Sequence, residues 1–146
     1  MNSNPREGLP SPELDERNQP FVQNAAAGVF VLPVCTDCGA IMAPPVANCT
    51  TCLSDAIEWR PSSGTGTVFS FIDYHRAWVK EFESLIPYNV SIIEFDEGPR
   101  MISNVLTDGS QPVEIGARVR VAFETRGEGR AVPVFVLDNG PASEDN

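Results

Sequence analysis

Two C-x-x-C pairs, five short β-type runs with glycine-rich corners, and helix start and stop signals confined to the region before Val29 predict a mostly β chain. The expected order is an N-terminal helical lead-in, a ribbon clamped by a metal ion, and a five-stranded barrel. The barrel is expected to be of the oligonucleotide/oligosaccharide-binding (OB) type, with an SH3-like barrel as the alternative that strand counting leaves open. At 146 residues the chain is long enough to bury a core of its own.

Residues 1–10 (MNSNPREGLP) are polar and broken by Pro and Gly, and read as a disordered leader. Residues 11–28 form the helical segment. Ser11 is placed to cap a helix with Pro12 at its first position and acids in its first turn. Pro20 interrupts any single long helix, so a second short helix is expected over about 19–27, stopped by Gly28.

Residues 29–60 form the ribbon. Val29 to Val34 is a β-type run leading into the first cysteine pair, and the segment to Trp59 carries the second. Residues 61–138 form the barrel, with strands expected at about 66–75, 88–95, 100–106, 118–124 and 132–137. Asp96-Glu97-Gly98-Pro99 reads as a tight hairpin connection. Gly64-Thr65-Gly66 reads as a barrel corner rather than a ligand loop. The connection WVKEFESLI, with Trp78, Phe82 and Leu85 on one side, is a short helix or irregular lid. It either caps the barrel end or presents a partner surface. Residues 139–146 are an acidic, frayed tail.

The cysteines carry the clearest chemistry. Cys35-Thr36-Asp37-Cys38 and Cys49-Thr50-Thr51-Cys52 are separated by ten residues, and they are the only four cysteines in the chain. Two thiolate pairs on facing turns supply the tetrahedral set that zinc prefers. Gly39, directly after the second cysteine, suits the sharp turn of a metal knuckle. An iron site would use the same ligands, and donor type alone does not separate the two metals. A disulfide framework needs an oxidising compartment, for which the chain start offers no secretory signal. The expected location is the cytoplasm. Four sulfurs on one ion leave no position for water, so the ion's expected role is structural.

Charge narrows the partners. The formal net charge is −10, Lys80 is the only lysine, and no basic residue lies between Cys35 and Trp59. From Arg60 to Leu137 there are ten acids against eight bases. Nucleic-acid binding needs clustered cations, and none are present, so that function is kept only as the alternative. Docking on anionic lipid is disfavoured for the same reason, and no stretch is long and apolar enough to span a membrane. His75 is the only histidine, and no phosphate loop, nucleophile elbow or dinucleotide fingerprint is present. No catalytic residue is assigned.

Several residues in order resemble one family. They are the two cysteine pairs with Cys38-Gly39 and Pro44-Pro45 between them, then Trp59, Gly64-x-Gly66-x-Val68, Pro87-Tyr88 and Asp96-x-Gly98-x-Arg100. The pattern, over residues 20–137, is similar to that of bacterial and archaeal proteins in which a rubredoxin-like zinc ribbon is joined to an OB-fold domain of once unknown function. The resemblance implies a non-catalytic accessory subunit of a thiolase-superfamily enzyme, a thiolase or a retro-aldol lyase. Such a subunit packs on its partner and helps form the acyl-CoA site. It implies structural Zn2+, and a CoA thioester bound jointly with the partner. Arg76 and Arg100 are the expected contacts to CoA phosphates, and Tyr88 and Asn89 the expected lining of an acyl tunnel. The chain departs from the family at Phe21-Val22, where many members carry Phe-Trp.

Overall fold

The computed structural model describes residues 6, 9–10, 13–107, 111–126 and 130–138. Its elements are helix α1 (Gln19–Ala26), β1 (Val31–Cys35), β2 (Ile57–Pro61), β3 (Thr65–Tyr74), a 3-10 helix (Lys80–Leu85), β4 (Tyr88–Phe95), β5 (Arg100–Ser103), β6 (Val105–Leu106), β7 (Arg118–Thr125) and β8 (Ala131–Leu137).

Helix α1 forms where Pro20 can occupy its first turn without losing a bond, and it ends as Val29 N–H returns to the Asn24 carbonyl. The helix expected to start at Ser11 is not borne out over residues 13–18, which are irregular or turn. There the Asn18 amide donates to the Glu13 carbonyl and accepts from Asp15 N–H, and Arg17 clamps Asp15. Side chains that satisfy the backbone locally compete with helix formation. Ser11 and Pro12 lie outside the described residues, as do most of the expected leader and the tail after Asp138. The two leader residues Arg6 and Leu9 correct the expectation of disorder: Leu9 is fully buried, and Arg6 pairs with Glu124 at 2.7 Å.

Strands β1 and β2 form an antiparallel ribbon of their own. The other six form one sheet in the order β5-β4-β3-β7-β8-β6, all antiparallel except β6 against β8. The expected strand over 100–106 is therefore two pieces broken at Asn104. One end pairs with β4 and the other with β8, which is the strand exchange of a five-stranded OB barrel. Among the described residues no ladder joins β5 itself to β8, so the barrel closes through its continuation β6 and the short β6–β8 ladder. Asn89 and Asn104 hold the break. Asn89 Oδ1 accepts from Val105 N–H at 2.9 Å, and the Asn104 side chain donates to the Asn89 carbonyl. Phe135 N–H donates to the Asn104 carbonyl from the other side.

Inward-facing Val68, Ile93, Phe95, Val119 and Phe135 fill the barrel, as strand alternation requires. Gly66 faces the β4 backbone closely: a Cβ there would sit 2.5 Å from the Glu94 carbonyl oxygen. The β4–β5 turn is tied down by Asp96, which accepts two bonds from Arg118 at 2.8 Å and one from Thr65 Oγ1 at 2.6 Å.

Two residues of the ribbon segment belong to the barrel core. Phe30 and Leu32 join the same buried cluster. The Phe30 ring lies 5.2 Å from Phe95 and 6.1 Å from Phe135, and Phe21 of α1 meets it edge-on at 5.7 Å. Helix, ribbon and barrel thus share one core.

Truncating Phe30 to Ala is expected to cost about 3–5 kcal/mol in chemical denaturation. Gly66→Ala is expected to cost about 2 kcal/mol or more, because the clash is with backbone. Arg118 and then Thr65 hold the Asp96 carboxyl down at about 2, from the usual 3.8. A depressed carboxylate stabilises the fold above its unfolded value and loses that contribution as pH falls through the folded one. The melting-temperature gap between wild type and Asp96→Asn should therefore close between pH 4 and 2. It should be small throughout, since both side chains are about half exposed.

Candidate functional site

The four sulfurs lie within 4.8 Å of one another, with Cys35–Cys52 and Cys38–Cys49 each at 3.6 Å. Zinc–sulfur bonds of ~2.3 Å at tetrahedral angles place sulfurs ~3.8 Å apart, so this donor set fits the ion without rearrangement. Cys35 and Cys49 are buried; Cys38 and Cys52 reach the surface.

The two knuckles are built alike. Gly39 N–H donates to the Cys35 carbonyl, and Leu53 N–H donates to the Cys49 carbonyl. Cys35 N–H donates to the Ala40 carbonyl, and Cys49 N–H to that of Ser54, the same offsets fourteen residues on. Gly39 and Leu53 occupy matching positions with positive φ, 81° and 67°. Sequence reading found Gly39 and passed over Leu53, because a leucine carries no turn signal.

The electrostatics suit a cation. Amides of Cys52 and Thr51 point at Cys49 Sγ from 3.4 and 3.3 Å. They lower that thiol to about 6, the Cys52 amide most. Cys52 is pushed up to about 12: the Ser54 amide favours its thiolate, but the Cys35 sulfur, burial and the other two thiols outweigh it. A first thiolate forms easily and later ones are resisted by crowding, which a dication cancels. The coordination set is complete with four sulfurs, so the ion's chemistry here is to clamp.

The other predicted residues are divided between two ends of the barrel. Tyr88 and Asn89 line a cavity of about 790 Å³ at its open end, with Phe71, Asp73, Arg6 and Val105. Tyr88 stacks on Tyr74 at 5.3 Å and meets Phe82 of the 3-10 helix at 5.0 Å. The connection thus packs its Phe82 against the barrel end. It leaves Trp78 68% exposed, with the Arg76 guanidinium 4.8 Å over its ring. Asn89 is committed to the latch at Asn104, and its Nδ2 is buried without a partner.

Arg100 stands apart. It lies across from Glu94, six residues along β4 from Tyr88 and so about 20 Å away. It pairs with Glu94 at 3.1 Å and stacks over Phe69 at 3.7 Å. One site therefore does not hold all four residues. Arg6 and Asp73 join the cavity unforeseen; their contribution depends on chain packing that no local motif encodes. His75 is exposed, and no side-chain hydrogen bond to it is formed among the described residues.

A closed four-thiolate ribbon sharing its core with an OB barrel defines the class: a zinc-ribbon/OB-fold protein. Residues 23–58 match the family described as the rubredoxin-like zinc ribbon domain of ChsH2, and residues 59–124 that described as its C-terminal OB-fold domain. A DUF35 domain-containing scaffold protein of Methanothermobacter thermautotrophicus is 31% identical over 97 residues, covering 65% of this chain and 72% of that one. A probable enoyl-CoA hydratase alpha subunit of Thermomonospora curvata is 28% identical over 131 residues, 90% of this chain. This chain spans 40% of that subunit's length. Among solved structures, a chain of an Ltp2-ChsH2(DUF35) aldolase superposes with a TM-score of 0.76 at 28% identity, covering 87% of this chain and 98% of that one. The chain belongs to the DUF35 family of zinc-ribbon/OB-fold proteins.

The purified protein should carry about one zinc per chain by elemental analysis. Chelation, or Cys49→Ser, should abolish amide protection over residues 49–54 while β4, β7 and β8 keep theirs in hydrogen exchange.

Proposed function

We propose that this chain is a non-catalytic accessory subunit of a thiolase-superfamily enzyme acting on acyl-CoA, a thiolase or a retro-aldol lyase. It stabilises its partner and helps to form the acyl-CoA site. The observation that carries this reading is the likeness to the DUF35 chain of an aldolase, which extends over 98% of that chain. The similarity to an enoyl-CoA hydratase alpha subunit supports acyl-CoA as the substrate class. The chain's own chemistry agrees, since the metal site occupies every cysteine a thiolase-type reaction would need.

The barrel-end cavity with Tyr88 and Asn89 is the part of the chain suited to an acyl or pantetheine arm, and exposed Arg76 lies in the connection beside it. A chain with net charge −10 repels the CoA phosphates at long range, so most of the cations that hold them belong to the partner. Arg100, paired with Glu94 at the other end, has no part in this site. The chain works in the cytoplasm, where acyl-CoA is available and thiolates stay reduced.

Co-expression with the thiolase-superfamily proteins of the same organism should yield a heteromeric complex on size-exclusion chromatography. That complex should bind acyl-CoA more tightly than either subunit alone. A chain that elutes by itself in every pairing would overturn the reading. Nucleic-acid binding predicts a salt-sensitive gel shift at low ionic strength, and none is expected.

A further inference from the structure

One guanidinium keeps spare donors in a place that solvent barely reaches. Glu124, near the end of β7, takes two arginines. Arg6 holds both of its oxygens, at 2.7 and 3.2 Å, and Arg126 brings its Nε to Oε2 at 2.9 Å. Arg126 is thus the second claimant on a carboxylate that Arg6 already grips at two points. The Arg126 and Glu124 side chains are only 17% and 10% exposed. The Nη groups of Arg126 make no hydrogen bond with the described residues. A shielded guanidinium with unused donors favours an anionic ligand.

Arg126 lines a groove of about 480 Å³, within the ~300–1,000 Å³ span of small-molecule sites. The walls are mostly apolar: Phe21 and Val22 of α1, the Pro44-Pro45 pair of the metal ribbon, and Met101 and Ile102 of β5. Ser103 also lines it, and the Ser103 hydroxyl makes no hydrogen bond with the described residues. Helix, metal ribbon and barrel each supply a wall. An apolar groove with one shielded guanidinium suits a ligand that has an apolar body and one anionic end.

We propose that this groove binds a small monocarboxylic acid, with its apolar tail against the walls and its carboxylate on the Nη groups of Arg126. Two nitrogens of a guanidinium match two oxygens of a carboxylate. A phosphate or a CoA nucleotide fits less well. The chain carries −10, and one arginine already shared with Glu124 does not offset several negative charges. A single charge meets less of that repulsion, and burial of the tail supplies the rest of the affinity. The site is independent of the accessory role, since every group in it belongs to this chain.

The experiment is titration calorimetry of the zinc-loaded full chain with octanoate, kept below its micelle concentration. Saturable binding of one octanoate per chain is expected. Octanol has the tail without the charge, and acetate the charge without the tail; each should bind about tenfold more weakly or worse. Arg126→Gln should weaken octanoate binding about tenfold or more. Ile102→Asp, which sets a like charge on an exposed wall residue, should do the same. Ile115→Asp, equally exposed and outside the groove, should leave binding unchanged. The octanol comparison uses the wild-type chain, so it decides the matter even where Arg126→Gln fails to fold. Absence of saturable octanoate binding would overturn the proposal, as would octanol binding equally well. Full affinity in a folded Arg126→Gln chain would remove the carboxylate from Arg126 and overturn it too. If octanoate does not bind but Arg126→Gln weakens the complex with a partner enzyme, the anion is a protein side chain and the small-molecule reading falls.

Discussion

The whole molecule depends on one aromatic side chain being in the right place. Phe30 comes from the ribbon segment, one residue before β1, yet its ring packs within about 6 Å of Phe95 and Phe135 inside the barrel and of Phe21 on the helix. A ribbon of this size has little core of its own: beyond the cysteines, its buried cluster amounts to Met42 and Val46. Without Phe30 it would be a metal clip on a tether. With it, the clip's orientation is fixed against the barrel, because burying a large ring stabilises a single relative placement by a few kcal/mol.

The metal site has the complementary role of holding the ribbon's far end. Two knuckles with matched hydrogen bonds aim four sulfurs at one point, and the amides around Cys49 prepare the first of them as a thiolate. Such a site orders a segment that hydrophobic burial alone could not order. Because it is complete in sulfur, it spends no ligand position on substrate. In the accessory-subunit reading proposed above, the chemistry comes from the partner, and the surfaces left over are the ones that can recognise another protein. Trp78 carries Arg76 over its ring, and Phe69 carries Arg100. Aromatic and arginine side chains dominate the energetics of protein interfaces.

Much of this was legible in the chain itself. The knuckles could be read from Cys35, Cys38, Cys49 and Cys52 because metal coordination is a local, spacing-dependent constraint. Strand β4 was legible to the residue, and β3, β7 and β8 to within a residue at either end, because alternation and turn chemistry act over a few positions. The break at Asn104 was not legible. The run from Arg100 to Leu106 has an unbroken strand pattern, and it splits because Asn89, sixteen residues away, captures Val105 N–H. The helix expected at Ser11 also failed over its described part, where Asn18 and Asp15 offered the backbone better local partners.

The sequence by itself determined the metal donors, the β character and the absence of a cationic surface, since each depends on residue type and near-neighbour spacing. Tertiary structure alone decided which residues share a site. It put Arg6 and Asp73 at the barrel end with Tyr88 and Asn89, and it placed Arg100 near the opposite end of β4 from them. It also brought Phe30 out of the ribbon and into the barrel. Those outcomes turn on which faces meet when non-local strands pair, and a one-dimensional pattern records the faces without recording their partners.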